Sequence, residues 1–157
     1  MQTEMMELVC LIDRSISMWG REEQVLRAYR RLLQQYQKVP PKCFVTTCLF
    51  SDNTELLWIH NEMDCANALT RQEYYVEGNT GLCDAVMFCI KRVEISLGYI
   101  KDEIKKQVHM YVITDGIDNG SVNQNYKEVL KLLEEKQKEH WQIYMVNEAL
   151  ETIEFGK

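Results

Sequence analysis

Two apolar runs, MMELVCLI at 5–12 and VHMYVIT at 108–114, stop abruptly at an aspartate, Asp13 and Asp115. Neither run alternates between polar and apolar residues, as a half-solvated strand would. Near-uniform hydrophobicity over seven or eight residues is the composition of a strand covered on both faces, and such strands belong to parallel sheets. Parallel neighbours cannot be joined by a tight turn, so the chain between them must supply crossover helices. The intervening sequence contains them. Val25, Leu26, Tyr29, Leu32, Leu33 and Tyr36 recur at spacings of three and four after Gly20, an amphipathic helix ended by Pro40 and Pro41. Leu82, Ala85, Val86, Cys89, Ile90, Val93 and Leu97 mark the stripe of a second helix, and Tyr126, Val129, Leu130 and Leu133 that of a third.

Between the first two helices, CFVTTCLFS (43–51) and TELLWIH (54–60) are separated by Asp52-Asn53 and read as an antiparallel hairpin. A polar segment containing Asn61, Asp64 and Glu77 then leads to Gly78-Asn79-Thr80-Gly81, an exposed loop feeding the second helix. The charge run Glu134–Glu139 reads as a solvated helix face, and WQIYMV (141–146) as a last strand. The order is strand, helix, hairpin, helix, strand, helix, strand. It predicts one α/β domain over 1–157, a Rossmann-like doubly wound sheet, mostly parallel with one antiparallel edge strand and helices on both faces.

At 157 residues and 46% hydrophobic content the chain can bury one substantial core. Its 24 acidic and 18 basic residues give a net charge of −6, which disfavours nucleic acid as a partner. The N-terminal apolar stretch is broken by Glu7 and is too short for a signal core or a membrane span, so a soluble, cytoplasmic chain is expected. None of the six cysteines forms a CxxC pair. Cys10, Cys48 and Cys89 sit among apolar neighbours, as buried reduced thiols do.

In a doubly wound sheet, ligands gather outside the carboxyl ends of the strands, near the point where strand order reverses. Asp13 and Asp115 are expected at such ends. The loop after the first strand adds Ser15 and Ser17, and the loop before the second helix can bring Thr80 to the same rim. Carboxylate and hydroxyl oxygens are hard ligands that suit Mg2+, with Mn2+ or Ca2+ as substitutes, and suit zinc or copper poorly. An ion held mainly by hydroxyls keeps much of its charge and seeks an external anion.

DRSIS at 13–17, the threonine of GNTG at 78–81 and ITDGIDN at 113–119 together resemble the three-part metal-ion-dependent adhesion site of von Willebrand factor type A domains. The resemblance spans nearly the whole chain and is greatest to small, stand-alone bacterial members. It implies that Ser15, Ser17 and Thr80 touch the metal through hydroxyls, that Asp13 and Asp115 act directly or through water, and that a protein partner supplies an Asp or Glu to complete the sphere. The implied function is metal-dependent protein–protein interaction without catalysis. Ile16 stands where related sequences often carry glycine, and because the chain stops soon after Val146, the sixth strand and final helix of that family are expected to be missing.

Taken singly, the same residues have plainer uses. Asp13, Ser15 and Thr80 could cap the helices that follow, and Asp115-Gly116 could be a turn. Asp84 could orient a bound water or be an ordinary helix aspartate; Asp118 and Asn119 read as turn residues. Trp19 could form the rim of a binding face or pack on the sheet edge, with Met18 as filler. His60, His109 and His140 form no dyad with a nucleophile. A Mg2+-dependent phosphoryl-transfer hydrolase on a similar sheet is the alternative function. It lacks a second carboxylate at Ser15, a placed lysine and a glycine-rich phosphate loop. A third possibility is a metal retained only as a structural staple.

Overall fold

The computed structural model describes residues 4–37, 41–63, 69–115, 126–146 and 152–155. Its elements are β1 (Glu4–Asp13), a 3₁₀ turn (Ile16–Met18), α1 (Glu22–Gln37), β2 (Cys43–Phe50), β3 (Thr54–Glu62), α2 (Leu82–Gly98), β4 (Lys105–Ile113), α3 (Tyr126–Lys138), β5 (Gln142–Val146) and β6 (Thr152–Glu154). One six-stranded sheet has the order β3-β2-β1-β4-β5-β6. β1 pairs in parallel with both β2 and β4, and β4 with β5. Strand order reverses between β1 and β4, so the residues just beyond these two strands flank the switch point.

The apolar run of β1 is split by the pleat between two cores. Met6, Leu8, Cys10 and Ile12 pack on one face with Val25, Leu26, Tyr29, Leu32 and Leu33 of α1. Val9 and Leu11 pack on the other with Val86, Cys89, Ile90 and Val93 of α2 and Val129 and Leu133 of α3. β1 is therefore the centre of a three-layer sandwich, and the same holds for β4, where Tyr111 and Ile113 face α1 while Met110 and Val112 face α2 and α3. Cys10, Cys43, Cys48, Cys83 and Cys89 are buried free thiols, and burial pushes the Cys43 thiol up to about 12. Cys65, Asp118 and Asn119 lie outside the described residues. Among those described, no helix is long and apolar enough to cross a membrane.

Several boundaries and faces differ from expectation. The sheet has two antiparallel edges instead of one: β3 pairs with β2, and the short β6 pairs with β5 through Tyr144↔Glu154 and Val146↔Thr152. Three residues are too few to show a period, which is why the region after Val146 is opaque in the sequence and why the expected lack of a sixth strand is corrected. β3 runs on through Asn61 to Glu62 across a bulge, with His60 at φ 46°. Tyr126, assigned to the buried stripe of α3, is 65% exposed. Lys136, assigned to a solvated face, is buried; its ammonium meets Glu94 at 2.5 Å and Glu139 at 3.1 Å and lies over the Trp141 ring. Its aliphatic stem covers apolar surface while the charge finds partners.

A second buried polar group interrupts the central strand. Glu7 is fully buried on the α2 face, where Oε1 meets His60 Nδ1 at 2.5 Å. Thr46 Oγ1 donates to Oε2 at 3.4 Å and also accepts the His60 backbone N–H at 2.9 Å. The bulge in β3 thus carries His60 to this buried carboxylate.

Candidate functional site

Beyond the end of β1 the chain is fixed by backbone bonds to two other segments. Arg14 N–H donates to the Phe50 carbonyl at 2.8 Å, and Ile16 N–H to the Gly78 carbonyl at 3.0 Å. In return, Glu77 N–H reaches the Arg14 carbonyl at 2.9 Å and Gly81 N–H the Ser51 carbonyl at 2.8 Å. The 77–81 loop is therefore stapled across the ends of β1 and β2. Gly78 permits this: its φ of 74° is one that L side chains rarely adopt, and a Cβ there would also displace the Asp52 carboxylate, 2.4 Å away.

The staple brings Thr80 to the serines. Thr80 Oγ1 donates to Ser15 Oγ at 2.7 Å, Ser15 Oγ lies 2.8 Å from Ser17 Oγ, and Ser17 Oγ lies 3.4 Å from Thr80 Oγ1. Three hydroxyl oxygens form a triangle. Ser15 does not cap the turn that follows it, and the N-cap position of α2 is Gly81.

Asp13 is fully buried beneath this triangle. Its Oδ1 accepts the Ser15 backbone N–H at 2.7 Å, and its Oδ2 accepts the Thr114 hydroxyl at 2.7 Å. A capping reading therefore holds for Asp13 in part, since it does satisfy a loop amide. Tyr74, also buried, donates its hydroxyl to the Asp13 carbonyl at 2.6 Å. Burial pushes the Asp13 carboxyl above the ordinary carboxylate range; the bonds from Ser15 and Thr114 oppose that rise, and the neighbouring Asp115 charge adds to it. Asp115 is half-buried just past β4. Asp84 lies in the first turn of α2.

All five residues expected at the site thus occupy the ends of β1, β4 and the loop before α2. Sequence reasoning missed Thr114 and Tyr74, which hold the Asp13 carboxylate and carbonyl. Thr114 had a signal available, a hydroxyl directly before the second strand-end aspartate. Tyr74, 61 residues from Asp13 in the sequence, had none. Trp19 does not pack on the sheet edge: it is 75% exposed, and Ile16 is 65% exposed. Met18 between them is fully buried.

The donors gathered here are hydroxyl and carboxylate oxygens, the types that hold hard divalent cations. Among the described residues no group of three His, Cys, Asp or Glu side chains is placed to hold a metal, so any cation at this rim must use the hydroxyls.

No family model matches the chain, and no curated protein matches its sequence. Solved structures do match its shape. The conserved hypothetical protein BatB from Bacteroides thetaiotaomicron superposes with a TM-score of 0.59 at 15% identity, over 90% of this chain and 65% of that one. Proximal thread matrix protein 1 from the mussel byssus superposes with a TM-score of 0.58 at 13% identity, over 91% of this chain and 35% of that one. The chain spans about two thirds of the first and about a third of the second. At these identities the likeness is one of fold: the α/β sheet built here is shared with parts of larger proteins.

Proposed function

We propose that this chain is a divalent-cation-dependent protein-interaction module of the von Willebrand factor type A kind, and that its strand-end rim holds Mg2+ and docks a carboxylate from a protein partner. The hydroxyl triangle carries this reading. Three hydroxyl oxygens from two segments lie 2.7, 2.8 and 3.4 Å from one another, close enough together that one small hard cation could take all three in place of their mutual hydrogen bonds. Ser15, Ser17 and Thr80 would hold the ion directly. Asp13, whose two oxygens already accept bonds from Ser15 and Thr114, would act through water, and Asp115 would lie on the same rim. When bound, the ion supplies an undercompensated positive charge. The resulting carboxylate docking needs no bond to be made or broken.

The arrangement suits a phosphoryl-transfer enzyme less well. A nucleophilic aspartate must reach its substrate, and Asp13 is fully buried with both oxygens engaged. The test is titration of the metal-free protein with MgCl2 by calorimetry. One ion per chain is expected, lost in the S15A/S17A variant while the circular dichroism spectrum is kept. An absence of binding at millimolar Mg2+ in the parent chain overturns the reading.

A further inference from the structure

The 3₁₀ turn after β1 sorts its side chains three ways. Ser15 and Met18 form one pair three positions apart, and Ile16 and Trp19 another. The first pair faces inward and both members are fully buried. The second pair stands outward, Ile16 65% and Trp19 75% exposed. Ser17, between them, carries its hydroxyl to Thr80 and Ser15. The turn is held rigidly by the Ile16 N–H bond to Gly78, the Met18 N–H bond to Ser15 and the Trp19 N–H bond to Ile16, at 3.0, 2.9 and 3.0 Å. Two large apolar side chains are therefore fixed in water within two residues of a hydroxyl that belongs to the candidate metal rim.

We propose that Ile16 and Trp19 form the apolar half of the docking surface, and that the partner segment carries a bulky apolar side chain within two or three residues of its docking Asp or Glu. This rests on the metal-docking reading above. Charge supplies the reason for a second contact. The chain has a net charge of −6, and Asp52 and Asp115 lie on the segments that build the rim, where Glu77 is paired with Arg14 at 3.1 Å. At a distance, an acidic partner meets repulsion, and attraction begins only at the ion itself. Affinity for such a partner must come from close contacts, and an exposed tryptophan on a rigid turn is the residue type that dominates protein interfaces. An ordered backbone also lowers the cost of holding that contact.

The proposal is tested by selection from a displayed random-peptide library on the immobilised protein in MgCl2, alongside the I16S/W19S variant, whose Mg2+ binding is checked by calorimetry. The expected peptides contain an Asp or Glu with Trp, Phe, Leu or Ile within three positions, and release on chelation. Synthetic copies should bind the variant at least about tenfold more weakly while the variant still takes up Mg2+. They should also shift the parent's tryptophan emission to the blue, a shift absent from the variant. Chelator-sensitive acidic peptides without apolar enrichment, or with equal affinity for the variant, overturn this proposal and leave the metal reading intact. Peptides that bind regardless of chelator, or that lack a carboxylate, overturn both.

Discussion

At Asp13, burial and charge are directly opposed. The carboxylate sits in a fully enclosed position, with a backbone amide on one oxygen and a threonine hydroxyl on the other, and its proton affinity is still raised. A carboxyl whose folded pKa lies above its unfolded one destabilises the native state when ionised. Asparagine keeps the shape and both contacts: its Oδ1 can accept from Ser15 N–H, and its Nδ2 can donate to Thr114 Oγ1 once that hydroxyl turns. We therefore expect D13N, without metal at neutral pH, to melt at or above the temperature of the parent chain, and to show no further rise on adding Mg2+. Differential scanning calorimetry with and without MgCl2 checks both halves, and a variant that melts well below the parent would mean that the carboxylate is a net stabiliser in its own right. The residues of this centre differ in how visible they are in the sequence. Asp13, Ser15 and Ser17 are legible because all three stand within five positions. Thr80 is legible only through its glycines, and Tyr74 not at all, because its partner is a backbone carbonyl that any residue could offer.

Among the elements, β1 and β4 could be read most directly, since continuous apolar runs have few other homes than a doubly covered sheet. The same run conceals Glu7, which looks like an interruption and is instead the buried end of a contact to His60, 53 residues away. Nothing local in β3 announces that its bulge serves β1, just as nothing in the charge run of α3 marks Lys136 as the one member turned inward. Pairings of this kind are set by which elements become neighbours, and periodicity carries no record of them. The Glu7 contact has a pH signature. Burial raises the Glu7 carboxyl above its usual 4.5, and the opposing bonds from His60 and Thr46 do not cancel the rise. Protonated Glu7 is thus the form the fold prefers. Its contribution is fully present below the unfolded pKa and is lost as pH rises through the folded one. E7Q, which keeps the shape and the hydrogen-bonding capacity, should remove that loss: its stability relative to the parent should grow as pH is raised from 4.5 toward neutrality. Urea unfolding at a series of pH values measures it, and a constant difference between the two proteins across that range would show that His60 fully compensates the buried charge.

For the whole molecule, the rim spans the sheet's switch point and joins segments already tied by sheet pairing and by the backbone bonds of the 77–81 loop. The β1 turn, the 77–81 loop and the end of β4 come from distant parts of the chain, and an ion held among their oxygens would bind the folded chain and not the unfolded one. Such binding raises stability by mass action, about 2.7 kcal/mol at a free concentration one hundred times Kd. For a domain of this length each kcal/mol moves the melting temperature by about 2–4 °C, so saturating Mg2+ should raise Tm by about 5–10 °C. The Tm shift alone does not separate a docking site from a structural staple, because both predict it. The partner does: a docking site loses peptide binding when Mg2+ is withdrawn at a temperature well below the metal-free Tm, where the fold is intact, whereas a staple keeps it. If Mg2+ leaves the melting temperature unchanged across a titration to tens of millimolar, neither role stands, and the hydroxyl triangle is an internal hydrogen-bond network that only fastens the β1 turn to the 77–81 loop.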